Sequence, residues 1–262
     1  MFSSFLPYLT HDKKSIKKAS IVTKTGDTGK TSLWNGEKVN KSTIHICLIG
    51  SLDTLNSQLG MIKSLWTKVR NEQENKPYNA PGAGSMWYRH NPCVDSGMYY
   101  EWFILGNIVS EIQRLIMDIS SLIASPPTNS IIIDRTYTNK ENKLLINEEN
   151  LTNIESLINR INSLCPPITQ FTIPGGGGEL TSWLDIVRTT VRECERQYVD
   201  FILNINDNYV KEYEIEFNNW VINNKLCLKI INRMSDLIFI LKRFTVQTLK
   251  ENEDLYKITK NN

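Results

Sequence analysis

The chain has 262 residues, 40% apolar, 22% charged and 9% aromatic, the composition of an ordinary globular protein with enough apolar residues for one sizeable core. Thirty basic and 28 acidic side chains leave a formal net charge of +2, so the positive field of a dedicated nucleic-acid binder is missing. No apolar run approaches the roughly 20 residues of a membrane helix, and neither nucleic acid nor a bilayer is expected as a partner.

In chain order, residues 1–20 read as a flexible tail, with Lys13, Lys14, Lys17 and Lys18 among serines. Ile44, Leu48, Leu52, Leu55, Leu59, Ile62 and Trp66 recur every three or four residues and predict a long amphipathic helix. Residues 71–97 are rich in Asn, Pro, Gly and Ser and read as a loop insertion. Phe103, Ile108, Ile112, Leu115, Ile119 and Leu122 predict a second long helix, and 125–150 a polar connector with a short strand-like Ile131–Ile133. Ile154, Leu157, Ile158 and Ile161 mark a shorter helix ended by Pro166 and Pro167. Leu180 to about Leu203 and Leu226 to about Leu249 complete five, with 207–224 an elaborated connection and 251–262 a C-terminal tail. The expected fold is all-α: a single five-helix bundle domain over 21–250, with ferritin-like up-down packing.

Five cysteines, Cys47, Cys93, Cys165, Cys194 and Cys227, include no C-x-x-C pair, and a reducing intracellular compartment is expected. The tail has no continuous apolar segment of a secretory signal. His11, His45 and His90 are scattered, with no Glu three residues before any of them, which excludes E-x-x-H di-iron ligation. No H-E-x-x-H zinc motif and no G-x-S-x-G elbow occur, and Cys194, between Glu193 and Glu195, has neighbours that raise a thiol pKa. No side-chain nucleophile stands out.

Three segments carry the chemistry. Thr23-Lys24-Thr25-Gly26-Asp27-Thr28-Gly29-Lys30-Thr31 ends like a Walker A loop, but Lys24 holds its first glycine position, so the segment is either a solvated turn or a non-classical phosphate cradle. Phe171-Thr172-Ile173-Pro174 and four glycines lead into a helix whose Arg188, Arg192, Glu195 and Arg196 form a stripe bordering the apolar face. Asn232, Asp236, Phe239 and Arg243 share one stripe of the last helix, as Asp53, Asn56 and Gly60 do on the first. Polar stripes beside a core either satisfy one another or bind a ligand.

Taken in order, Thr23-Lys24-Thr25-Gly26-Asp27-x-Gly29, Gly50-x-x-Asp53-x-Leu55-Asn56-Ser57-x-Leu59-Gly60, Phe171-x-Ile173-Pro174-Gly175-Gly176, Arg188-x-x-x-Arg192-x-x-Glu195-Arg196 and Asn232-Arg233-Met234-Ser235-Asp236 closely resemble the PduO-type ATP:cob(I)alamin adenosyltransferases. The resemblance implies a homotrimer that binds ATP and cobalamin where subunits meet and transfers the 5′-deoxyadenosyl group to cobalt with release of triphosphate. It implies nucleotide contacts from Thr23, Lys24, Thr25, Gly26, Asp27, Lys30, Arg192, Glu195, Arg196 and Asn232, with Glu195 serving Mg²⁺. Asp53 and Arg188 match a salt-bridged pair across the subunit interface, and Phe171 an aromatic closing the lower corrin face; with Arg192 these form the catalytic set. A cobalamin reductase and an adenosylcobalamin-dependent enzyme are the implied partners, in the mitochondrial matrix of a eukaryote or otherwise in the cytoplasm. The chain departs from the usual pattern at Glu193 (usually Arg), Thr54 (usually Glu) and Asp185 (usually His), and its glycine run is one residue longer. These departures define the alternative expectation, a catalytically weak homologue that carries corrinoid or ATP.

Overall fold

The computed structural model describes residues 22, 24–34, 36–74, 96–126, 146–205 and 214–256. Two short strands, β1 (Lys30–Ser32) and β2 (Lys38–Asn40), precede five helices: α1 (Ile44–Glu74), α2 (Ser96–Ile123), α3 (Glu148–Ser163), α4 (Glu179–Ile205) and α5 (Glu214–Leu249). The five-helix expectation holds. Helix α1 packs on α2 and α4, and α5 packs on α2 and α4, which closes a four-helix ring; α3 lies outside it against α5.

The helical spacing of α1 is the reason for its place. Leu48, Leu52, Leu55, Leu59 and Ile62 are fully buried, facing Leu105, Val109, Ile116 and Ile119 of α2 and the apolar sides of α4 and α5 in one continuous core. Gly106 allows α1 and α2 to approach closely, because a Cβ there would collide with the buried ring of Trp66. The core carries one polar chain: Tyr198 Oη donates to Asn224 Oδ1 (2.7 Å), Asn224 Nδ2 to Trp220 O (2.8 Å), and Trp220 Nε1 to Leu122 O (2.9 Å). These three buried donors are thereby satisfied, and α2, α4 and α5 are held in register.

Several boundaries differ from the sequence reading. Helix α1 continues to Glu74 and α2 starts at Ser96, so both ends of the 71–97 stretch are helical. Helix α3 starts within the 125–150 connector because Asn147 and Asn150 form a reciprocal cap: the Asn147 side chain accepts from Asn150 N (3.3 Å), and Asn150 Oδ1 accepts from Asn147 N (2.8 Å). Helix α5 starts at Glu214, inside the expected 207–224 connection, and Trp220 anchors that extra length in the core. Residues 251–256 are bonded across the glycine loop rather than forming a tail. The pairing of β1 with β2, Thr31 opposite Val39, had no periodic signal, since strands of three residues are too short to show one. The tail 1–20, Ile131–Ile133 and Thr23 lie outside the described residues.

Candidate functional site

The β1–β2 hairpin fixes the first motif. Trp34 N–H donates to Ala124 O at the end of α2 (3.0 Å), and Leu33 is buried, so the hairpin is tied to the bundle. Just before it the chain makes consecutive turns: Asp27 N–H donates to Lys24 O (3.3 Å) and Gly29 N–H to Gly26 O (3.2 Å), with Lys24 and Gly29 both at positive φ (57° and 74°). Lys41 Nζ donates to Gly26 O (3.0 Å) from the far side of the hairpin. Lys24, Thr25, Asp27 and Lys30 are exposed, so two ammonium groups and a hydroxyl border the turn, a composition suited to an anion.

The second and third motifs come together between α4, α5 and α3. Asn232 Nδ2 donates to Glu195 Oε1 (2.6 Å), Arg233 Nη1 donates to Asn232 Oδ1 (2.7 Å), and Arg233 Nε pairs with Glu155 Oε1 of α3 (2.8 Å). Asp236 lies 3.8 Å from Arg233. This line of contacts fixes which side of the Asn232 amide faces Glu195, and leaves Glu195 its second carboxylate oxygen. One turn earlier on α4, Arg192 is exposed and has no ion-pair partner among the described residues. Arg196, expected to serve the nucleotide, is paired with Glu193 on the surface, and Gln197 Nε2 also donates to Glu193 (3.2 Å). That pairing, with the Arg196 hydrogen bond foremost, lowers the Glu193 pKa.

Arg188 and Asp53 do not meet within the chain. Asp53 is exposed on α1, whereas Arg188 Nε on α4 is buried without a hydrogen-bond partner among the described residues. A buried guanidinium donor left unsatisfied costs about 1–3 kcal/mol. Phe171 is 82% exposed in the loop after α3. Cys194 is buried and its thiol is pushed up to about 12, first by burial and second by Glu193, so the neighbouring charge anticipated from sequence is the lesser cause. The thiol is inert at neutral pH.

The departure at Asp185 has a local explanation. Its carboxylate accepts from Gly175 N (3.1 Å) and pairs with Lys242 Nζ of α5 (3.0 Å), which also pairs with Glu253 Oε1 (2.9 Å). Lys242 is 2% exposed. Burial pushes its ammonium pKa down, but hydrogen bonds and charge from Glu253 and Asp185 push it up, and the partners prevail. The sequence reading missed Lys242, Glu253 and Glu155; a lysine among the apolar residues Ile238, Ile240, Leu241 and Phe244 was the available signal for the first.

The family description for cobalamin adenosyltransferases matches residues 21–79 and 95–245, most of the chain and all of the motifs above. The chain belongs to the cobalamin adenosyltransferase family. It is 24% identical to the corrinoid adenosyltransferase MMAB of Bos taurus over 93% of this chain and 78% of that one. It is likewise 24% identical to the MMAB of Homo sapiens over 90% and 72%. With a TM-score of 0.60 and 23% identity, its fold matches a variant PduO-type ATP:corrinoid adenosyltransferase from Lactobacillus reuteri, a structure complexed with cobalamin and ATP. That match covers 91% of this chain and 99% of the other. In this family member, the described His, Cys, Asp and Glu side chains form no group of three that could hold a metal by themselves.

Proposed function

We propose that this family member is an ATP:cob(I)alamin adenosyltransferase, working as a homotrimer with its site between subunits. The observation that carries the reading is the Glu195–Asn232 contact with the unpaired guanidinium of Arg192 one helical turn away. In this reaction the Co(I) electron pair forms a bond to the 5′ carbon of ATP while the carbon–oxygen bond breaks, and triphosphate leaves with the electron pair of that broken bond. The protein therefore needs no basic side chain; it must align the two substrates and stabilise charge on the departing oxygens. Arg192 and Lys24 supply positive charge, and the turn Thr25–Gly29 is held in place by Lys41.

Mg²⁺ fits this donor set without a protein cage, because it is commonly held by one or two carboxylates with phosphate and water oxygens completing the octahedron. Glu195 is the residue that would hold it, and the ion would neutralise phosphate charge. Phe171 would close the lower corrin face, excluding a water ligand and easing the reduction of Co(II).

Incubation with ATP, Mg²⁺ and chemically reduced cobalamin, followed by corrin absorption and triphosphate release, tests the reading. Product from both channels supports it; corrinoid binding with neither product leaves the carrier alternative. In the same assay Arg192→Ala is expected to lose about 1.5–3 kcal/mol of charge-assisted contact, roughly 10- to 150-fold in kcat/KM for ATP, with an unchanged melting curve. A variant that fails to fold would place Arg192 in the architecture instead.

The trimer is supported by the unsatisfied Arg188 Nε and by exposed Ile186, Val199 and Leu203 on the outward side of α4. Light scattering at micromolar concentration should return about three times 30.2 kDa, and a stable, fully active monomer would refute the shared site.

A further inference from the structure

At the end of α5 the chain reverses through Lys250 (φ 55°), with Glu251 N–H returning to Val246 O at 2.9 Å. Residues 251–256 then run antiparallel to 171–173. Ile173 N–H donates to Asp254 O (2.7 Å), Tyr256 N–H donates to Phe171 O (2.8 Å), and Thr172 sits opposite Leu255. In this register Phe171 and Tyr256 are directly opposed, and the alternation of a strand puts Ile173 on their face. All three are exposed, at 82%, 55% and 46%, so the ribbon offers water two aromatic rings and an aliphatic side chain together.

Beneath that face the ribbon is held firmly. The buried Lys242 joins Asp185, which accepts from Gly175 N, to Glu253 of the C-terminal segment. Thr181 Oγ1 donates to Glu251 Oε2 (2.8 Å). The glycine run permits this contact: a Cβ at Gly176 would lie 2.7 Å from Asp254 N, and one at Gly177 2.8 Å from Glu251 Oε2. A fixed apolar platform fits a flat, largely apolar macrocycle better than a polyphosphate, which Asp254, opposite Ile173 on the same face, would repel.

We infer that Tyr256 is a second aromatic contact for the corrinoid beside Phe171, and that Lys242, Asp185 and Glu253 are positioning residues that hold the C-terminal segment in place for it. This rests on the adenosyltransferase reading. Burial of the tyrosine ring against the macrocycle gives the contact its strength.

The test is spectral titration with cob(II)alamin and, separately, equilibrium binding of ATP, using the full chain and its Tyr256→Ala, Tyr256→Phe, Phe171→Ala and Glu253→Gln variants. Tyr256→Ala should weaken corrinoid binding about tenfold, equivalent to about 1.4 kcal/mol, while Tyr256→Phe retains it and ATP affinity stays constant in both. Glu253→Gln, which leaves the Lys242–Asp185 pair in place, should show the same corrinoid-only loss and faster amide exchange at Ile173 and Tyr256. Unchanged corrinoid affinity in Tyr256→Ala, or equal losses of ATP and corrinoid, overturns the inference; an effect of Phe171→Ala in that case leaves the adenosyltransferase reading standing. An unmodified chain that takes up no corrinoid overturns both.

Discussion

Lys242→Met is expected to lower the unfolding free energy by about 3–5 kcal/mol, because it leaves the Asp185 and Glu253 carboxylates without their buried counter-charge. Denaturant unfolding monitored by circular dichroism measures the loss as a shift in midpoint. Neutralising the orphaned acids in the same chain, with Asp185→Asn and Glu253→Gln, should recover much of it, since an uncharged trio of similar volume has no unpaired ion to desolvate. A loss below about 1 kcal/mol for Lys242→Met would mean that water reaches the three charges. The pH dependence follows from the raised lysine pKa. The stabilisation is complete below the ordinary value of 10.5 and is lost as pH climbs through the higher folded value, so the unmodified protein should lose this contribution only in strong alkali.

Asp53→Asn and Arg188→Ala should each cost about 3 kcal/mol, roughly 150-fold, in corrinoid turnover while sparing ATP affinity. The structural ground is asymmetric: Arg188 Nε is buried with no partner among the described residues, and Asp53 presents an exposed carboxylate. In a trimer the second can satisfy the first. Either single change then removes the same contact, so the double variant should be little worse than each single one, with a coupling of about 2–3 kcal/mol. Strictly additive losses would separate the two residues and remove the interface pair from the proposed site.

The family relationship and the helical core were legible without coordinates for a definite reason. A buried helix face repeats every three or four residues, so Leu48 to Ile62 or Leu184 to Tyr198 write their burial into local spacing. Ordered motifs from Lys24 to Asp236 likewise survive as linear text. Helix ends were less legible because capping depends on single residues, such as Asn147 and Asn150, in stretches dominated by polar composition.

What the sequence by itself determined was the all-α core and the stock of candidate site residues: Arg192, Glu195 and Asn232 were identifiable as candidates by type and order. Tertiary structure alone decided their relations. It joined Asn232 to Glu195 across α4 and α5, paired Arg196 with Glu193, and turned Asp185 from an unexplained departure into a partner of Lys242, 57 positions further on. It also brought residues 251–256 over the glycine loop to place Tyr256 opposite Phe171. Periodicity records only whether a side chain faces the core, whereas ion pairs and strand register depend on groups distant in sequence whose separation is set when the helices pack.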